Sequence, residues 1–115
     1  MKTHTAEGEM YQRLVAYLSV AFYSISNQSI NNNQNSEATY FVTLYKLADP
    51  TNSEAWYLSA MINAKNGNSK LATDDLAKAA DNGFNDTKRM LQQPEFQNLQ
   101  PPVNFAAIEA KMKAQ

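Results

Sequence analysis

The sequence predicts an all-α fold of antiparallel helical hairpins, sealed at its C-terminal end by a capping segment. Three observations predict it. Apolar residues recur at three- and four-residue intervals in four successive stretches, which stacks their side chains on one helix face. The second, third and fourth stretches end at Asp49-Pro50, Asn66-Gly67 and Asn82-Gly83, dipeptides that stop a helix and turn the chain. The 115 residues, 43% of them hydrophobic with only 3 Gly and 4 Pro, suit one domain with a core and not a linker or fibre.

Residues 6–26 carry Tyr11, Leu14, Leu18, Ala21, Phe22 and Ile25 on one stripe. Tyr17, Val20 and Tyr23 fall off it. A helix apolar on more than one side either packs between two neighbours or leaves an aromatic surface for a partner or a second copy. The β-branched and aromatic content of 14–25 keeps a strand as the alternative there. Residues 27–36 are a polar tract without period and read as a loop, and 1–10 read as a flexible tail. The second helix covers 37–48, with Ala38, Phe41, Leu44, Tyr45 and Ala48 in phase, and stops before Pro50.

Thr51 and Glu54 have the spacing of a capping box, which opens a third helix over 53–65. Asn68 or Ser69 caps a fourth over 70–81. Beyond Gly83 the pattern shortens to a turn at Thr87–Leu91, a break at Pro94, a turn carrying Phe96 and Leu99, and a last helix from Val103 to Lys113 with Phe105, Ile108 and Met112 in phase. This stretch is too short for its own core and should fold back over the last hairpin.

Composition excludes more than it identifies. Ten basic against 11 acidic residues leave a net charge of −1, with no basic footprint for nucleic acid or an anionic membrane. The absence of cysteine removes thiol catalysis, cysteinyl metal sites and disulfides together. The longest apolar run, 14–25, is too short to cross a bilayer, and Glu7 and Glu9 stand where a signal peptide would be basic. Asn, Gln, Ser and Thr nevertheless outnumber charged residues, 36 to 21, a lean toward an exported bacterial protein whose signal has been removed.

Residues 53–86 resemble a tetratricopeptide repeat, a 34-residue helix–turn–helix unit. Trp56 takes the bulky aromatic position, Ala60 the small one, Gly67 the turn, and Ala72, Leu76 and Ala79 the second helix. Small residues at 60, 72 and 79 let two helices approach closely, and Trp56 with Leu76 should fill the gaps between them. One repeat earlier, 19–52 carries a weaker copy: Phe22, Ser26, Ala38, Val42 and Pro50, with Asn33 for the turn glycine. Ser59 and Asn63 depart from the family's leucine-like and tyrosine-like preferences. In 76–99, Gly83-Phe84 and Pro94-x-Phe96-x-x-Leu99 are similar to the sealing tail of bacterial tetratricopeptide-like proteins, so 87–115 reads as a cap plugged by Phe84, Phe96 and Leu99.

That resemblance implies a groove lined by the first helix of each repeat: Glu54, Tyr57, Met61, Ala64 and Lys65 from one, Val20, Tyr23, Asn27 and Asn31 from the other. Tyrosine and methionine suit binding, but Tyr23 and Met61 could equally pack as core against each other or the tail. If the groove is right, partner capture should be lost on Tyr57→Ala.

Little points to catalysis. His4, the one histidine, has no partner. Asp74 and Asp75 are adjacent helix positions that point about 100° apart and read as solvated surface. No nucleophile–base set, phosphate loop or metal motif occurs, and no cofactor is expected. The expected function is a non-catalytic module for protein or peptide partners. The alternative is an exported cell-envelope accessory contacting glycan or a nutrient transporter. A homodimer through the first helix is the third reading.

Overall fold

The computed structural model describes residues 6–114 and contains no strand among them. Helices are α1 (Ala6–Asn31), α2 (Asn35–Ala48), α3 (Ser53–Lys65), α4 (Ser69–Asp81), α5 (Thr87–Gln92) and α6 (Phe105–Lys113), with a 3-10 turn at Pro94–Phe96. α1 packs on α2 and α3 on α4, two antiparallel hairpins joined where α2 meets α3, and α6 lies against α4. The stretch 14–25 is helix, so the strand alternative falls.

Three of the turns use one device. At Asn33, Gly67 and Gly83 the backbone takes φ of 59°, 76° and 103°. In each case the next residue's N–H reaches back five positions and the turn residue's own N–H three: Gln34 to Ser29 and Asn33 to Ile30, Asn68 to Asn63 and Gly67 to Ala64, Phe84 to Ala79 and Gly83 to Ala80. These pairs satisfy the last helical carbonyls. Asn33 and Gly67, 34 residues apart, thus close the first helix of each hairpin alike.

This geometry corrects the expected 27–36 loop. α1 continues to Asn31 and α2 already starts at Asn35, leaving a turn of only a few residues. Ser29 and Ile30 are buried inside the tract, and their packing overrides its polar composition. Residues 6–10, expected as tail, form the opening turns of α1; residues 1–5, His4 included, lie outside the described residues.

The caps are also resolved. The Oδ1 of Asn52, not the Thr51 side chain, accepts the Glu54 N–H at 3.0 Å, so the expected capping box does not form. The Glu54 carboxylate is engaged elsewhere, by Arg89. Asn68 caps α4, accepting from the Leu71 N–H, while the Ser69 hydroxyl donates to the Pro101 carbonyl. Asp86 and Asn104 cap α5 and α6 in the same way.

The core runs through both hairpins. Ala60, Ala72, Ala79 and Leu76 are fully buried, as close helix approach requires. Trp56 does not fill the inter-helix gap as expected. It is half-buried at the core's edge, its Nε1–H donating to the Pro50 carbonyl at 2.8 Å. The Lys46 and Lys78 ammonium groups stand over its ring at 4.9 and 5.0 Å. Tyr57 occupies the centre instead. Phe84, Phe96 and Leu99 are buried, and the tail does fold back as a cap.

Candidate functional site

The expected groove is largely filled by the protein itself. Tyr57, Met61 and Ala64 are buried, so none of them meets solvent as a binding surface. Phe84 stacks on the Tyr57 ring at 4.6 Å, Phe96 meets it edge-on at 5.7 Å, and the Tyr57 hydroxyl donates to the Gln93 Oε1 at 2.8 Å. The tail that seals the last hairpin therefore covers this part of the groove. Lys65 donates to the Asn33 Oδ1 at 2.7 Å, tying the two turns together. Asn27 is half-buried and Asn31 exposed, and neither lines the cleft that remains open.

What stays open is a smaller cleft of about 280 Å³ among α1, α2, α3 and α5. Val20, Tyr23 and Glu54 line it, as the resemblance implied, together with Tyr45, Asn52 and Arg89, which sequence reasoning assigned to core, turn and cap. Tyr45 belongs to the apolar stripe of α2, and nothing in a period distinguishes a core tyrosine from one whose hydroxyl reaches a cavity. Arg89 stands beside Lys88 in a largely polar 84–99 tail, and nothing in its spacing marks it as a site residue.

Arg89 organises the cleft. Its Nη1 donates to both Glu54 carboxylate oxygens, at 3.0 and 2.9 Å, and its guanidinium lies 4.2 Å from the Tyr57 ring centre. Burial works against the charged guanidinium, but the Glu54 charge and hydrogen bonds outweigh it and raise the Arg89 pKa. At the rim, the Asp49 Oδ2 accepts from the Ser19 hydroxyl at 2.7 Å and the Asn52 amide at 3.0 Å.

Neither the Tyr23 nor the Tyr45 hydroxyl has a hydrogen-bond partner among the described residues; Tyr23 is half-buried, whereas Tyr45 is buried at 2% exposure and reaches the cleft only from its inner wall. Burial, reinforced by the Glu54 and Asp49 charges and by Tyr23, pushes the Tyr45 phenol up to about 12, so it is a neutral donor at any physiological pH. A second, open hollow of about 390 Å³ shares Arg89 with the cleft and is otherwise lined by tail residues, among them Lys88, Gln92 and Pro94. Among the described residues no group of three His, Cys, Asp or Glu side chains could hold a metal ion, and no helix is long and apolar enough to cross a membrane.

A separate polar chain crosses the other hairpin contacts. Lys46 of α2 donates to the Ser59 Oγ at 3.2 Å, and both Ser59 and the Asn63 amide of α3 donate to the Asp75 Oδ2 of α4 at 2.7 Å. The Ser59 proton is committed to Asp75 and the Lys46 ammonium is itself a donor, so this is a clamp between helices. It corrects the solvated reading of Asp75; Asp74 alone is surface, paired with Lys70 at 2.9 Å. The two departures from the repeat pattern, Ser59 and Asn63, are the residues that need Asp75.

Compared with protein-family models, curated proteins and solved structures, the chain finds no match.

Proposed function

We propose that this chain is a non-catalytic interaction module of tetratricopeptide-like type, at work in a bacterial cell envelope, that receives an extended peptide segment of a protein partner. The observation that carries the reading is the pair of unpartnered phenols, Tyr23 and Tyr45, in a cleft floored by the Glu54–Arg89 pair. Rigid tyrosines add contact area at low entropic cost and hold a hydroxyl ready for a backbone amide or carbonyl. At about 280 Å³ the cleft takes one side chain, below the range of drug-sized ligands, and the adjoining hollow across Arg89 gives an extended peptide a second place to rest.

The test is a peptide-library selection followed by titration calorimetry. Tyr45→Phe should weaken binding about tenfold, the effect of one hydrogen bond, and Tyr23→Ala by more. Tyr40→Ala, at an exposed position outside the cleft, should bind as wild type. Unchanged affinity in the Tyr23→Ala, Tyr45→Phe double variant would remove the cleft from consideration. The alternative of an envelope accessory contacting glycan or a nutrient transporter draws on the same phenols and the Asn52 amide, which suit sugar hydroxyls. Oligosaccharide binding without peptide binding selects it.

A further inference from the structure

α1 turns only part of its apolar surface inward, where Phe22 and Tyr23 pack against the core. Ser19, Ser26, Ser29 and Ile30 are its buried residues among those described, so small side chains bring the helix close to its neighbours between these larger contacts. An outer stripe, which takes Tyr11, Leu14 and Ile25 from the sequence stripe and adds Met10 and Tyr17 beside it, faces away from the neighbouring helices. Met10, Tyr11, Leu14, Tyr17 and Ile25 are 63%, 66%, 52%, 71% and 38% exposed. α1 has 26 residues and α2 only 14, so at 1.5 Å per residue its first half runs well past the end of its partner.

We propose that this stripe pairs with the stripe of a second copy, the two α1 helices running antiparallel about a two-fold axis between Tyr17 and Leu18. This surface is distinct from the peptide cleft, and the inference does not rest on that reading.

Size supports it. The exposed stripe amounts to on the order of 500 Å² per copy, near the top of what a monomer leaves bare. Two copies together would bury about 1,000 Å² or more, the threshold of a specific interface. Register supports it as well. With the axis between 17 and 18, Met10 meets Ile25 and Leu14 meets Ala21, large against large at the ends and large against small between them, with Tyr17 on Leu18 at the centre.

Charge selects both the direction and the occupant. The stripe itself carries no charge, so an acidic or basic partner finds nothing on it to pair with. Glu7 and Glu9 crowd the N-terminal end of α1, and a parallel pair would set them against their own copies. In the antiparallel register Glu7 comes opposite Gln28, in the uncharged end of the helix. The same glutamates, with Arg13 as the one basic residue on α1, disfavour an anionic lipid surface as the occupant.

Sedimentation velocity of the whole chain, from about 5 to 500 μM, should show a dimer. Tyr17→Glu, and separately Leu14→Lys, should raise the dimer dissociation constant at least about tenfold while leaving the helical circular dichroism and Tm in place, because both positions are exposed in the protomer. The cysteine-free chain allows a direct check of direction: under oxidation, Met10→Cys protein mixed with Ile25→Cys protein should cross-link across the pair, and neither alone should. A monomer throughout that range, a dimer indifferent to both substitutions, or Met10→Cys cross-linking to itself would each overturn the proposal.

Discussion

Tyr57 is the position at which binding and folding are most easily confused. It is fully buried, stacked on Phe84 at 4.6 Å, edge-on to Phe96 at 5.7 Å and hydrogen-bonded to Gln93 at 2.8 Å. Tyr57→Ala removes the ring from all three and leaves a cavity that the surrounding helices only partly close, a loss of about 3–5 kcal/mol. Tyr57→Phe keeps the ring and both aromatic contacts. It forgoes one hydrogen bond, and the half-buried Gln93 amide can turn to water, so the loss is about 0.5–1.5 kcal/mol. Urea unfolding followed by circular dichroism separates the two, and for a chain of this size Tyr57→Ala should lower Tm by about 12–20 °C. A Tyr57→Ala variant within about 1 kcal/mol of wild type, or a Tyr57→Phe loss as large as the alanine loss, would refute the account of the tail as a seal on this ring. The functional consequence is direct. Failure of Tyr57→Ala to capture a partner would report a damaged fold, and Tyr23→Ala, at a half-exposed wall of the cleft, is the sounder probe.

Adjacent aspartates should behave differently in the same assay: Asp75→Ala strands the Ser59 hydroxyl and Asn63 amide and should lose about 1–3 kcal/mol, Asp74→Ala less than about 0.5. Equal effects would contradict the clamp. Gly67→Ala meets no atom within 4 Å but must hold φ at +76°, so it should lose about 1–2 kcal/mol from backbone strain alone, and Gly67→Asn less, as Asn33 shows at the equivalent turn. Alanine and asparagine variants both matching wild-type stability would show that the turn is not held left-handed. Alkaline titration tests the cleft: the Tyr45 phenol rises from 10.0 to about 12 on folding, so its contribution is intact below pH 10 and declines as pH climbs toward 12. Tyr45→Phe should therefore flatten the loss of stability between pH 10 and 12, and an unaltered profile would argue against the burial of that hydroxyl.

Part of this molecule was legible residue by residue. Proline at 50 and glycine at 67 and 83 stop helices through local geometry, which needs no knowledge of neighbours, and the boundaries of α3 and α4 follow within a residue. The alanines at 60, 72 and 79 announce close helix contact for the same reason. The polar tract 27–36 misled because Ser29 and Ile30 derive their burial from residues distant in sequence, and packing outweighed composition. Tyr45 and Arg89 were missed as site residues because α2 and α5 come together only across the folded hairpins.

The chain's own order of residues determined that it is helical, where most of its helices stop, and that the tail carries hydrophobic plugs, since spacing and turn chemistry act over a few residues. Tertiary structure alone decided which face each helix turns inward: serines beside Phe22 on α1, with Tyr11 and Leu14 of the same stripe left outside, and Tyr57 and not Trp56 at the centre. A helix with more than one plausible inner face has no local rule to choose between them, and the choice falls to whichever packing of the whole chain buries the most surface, here with the Ser26 hydroxyl left without a partner.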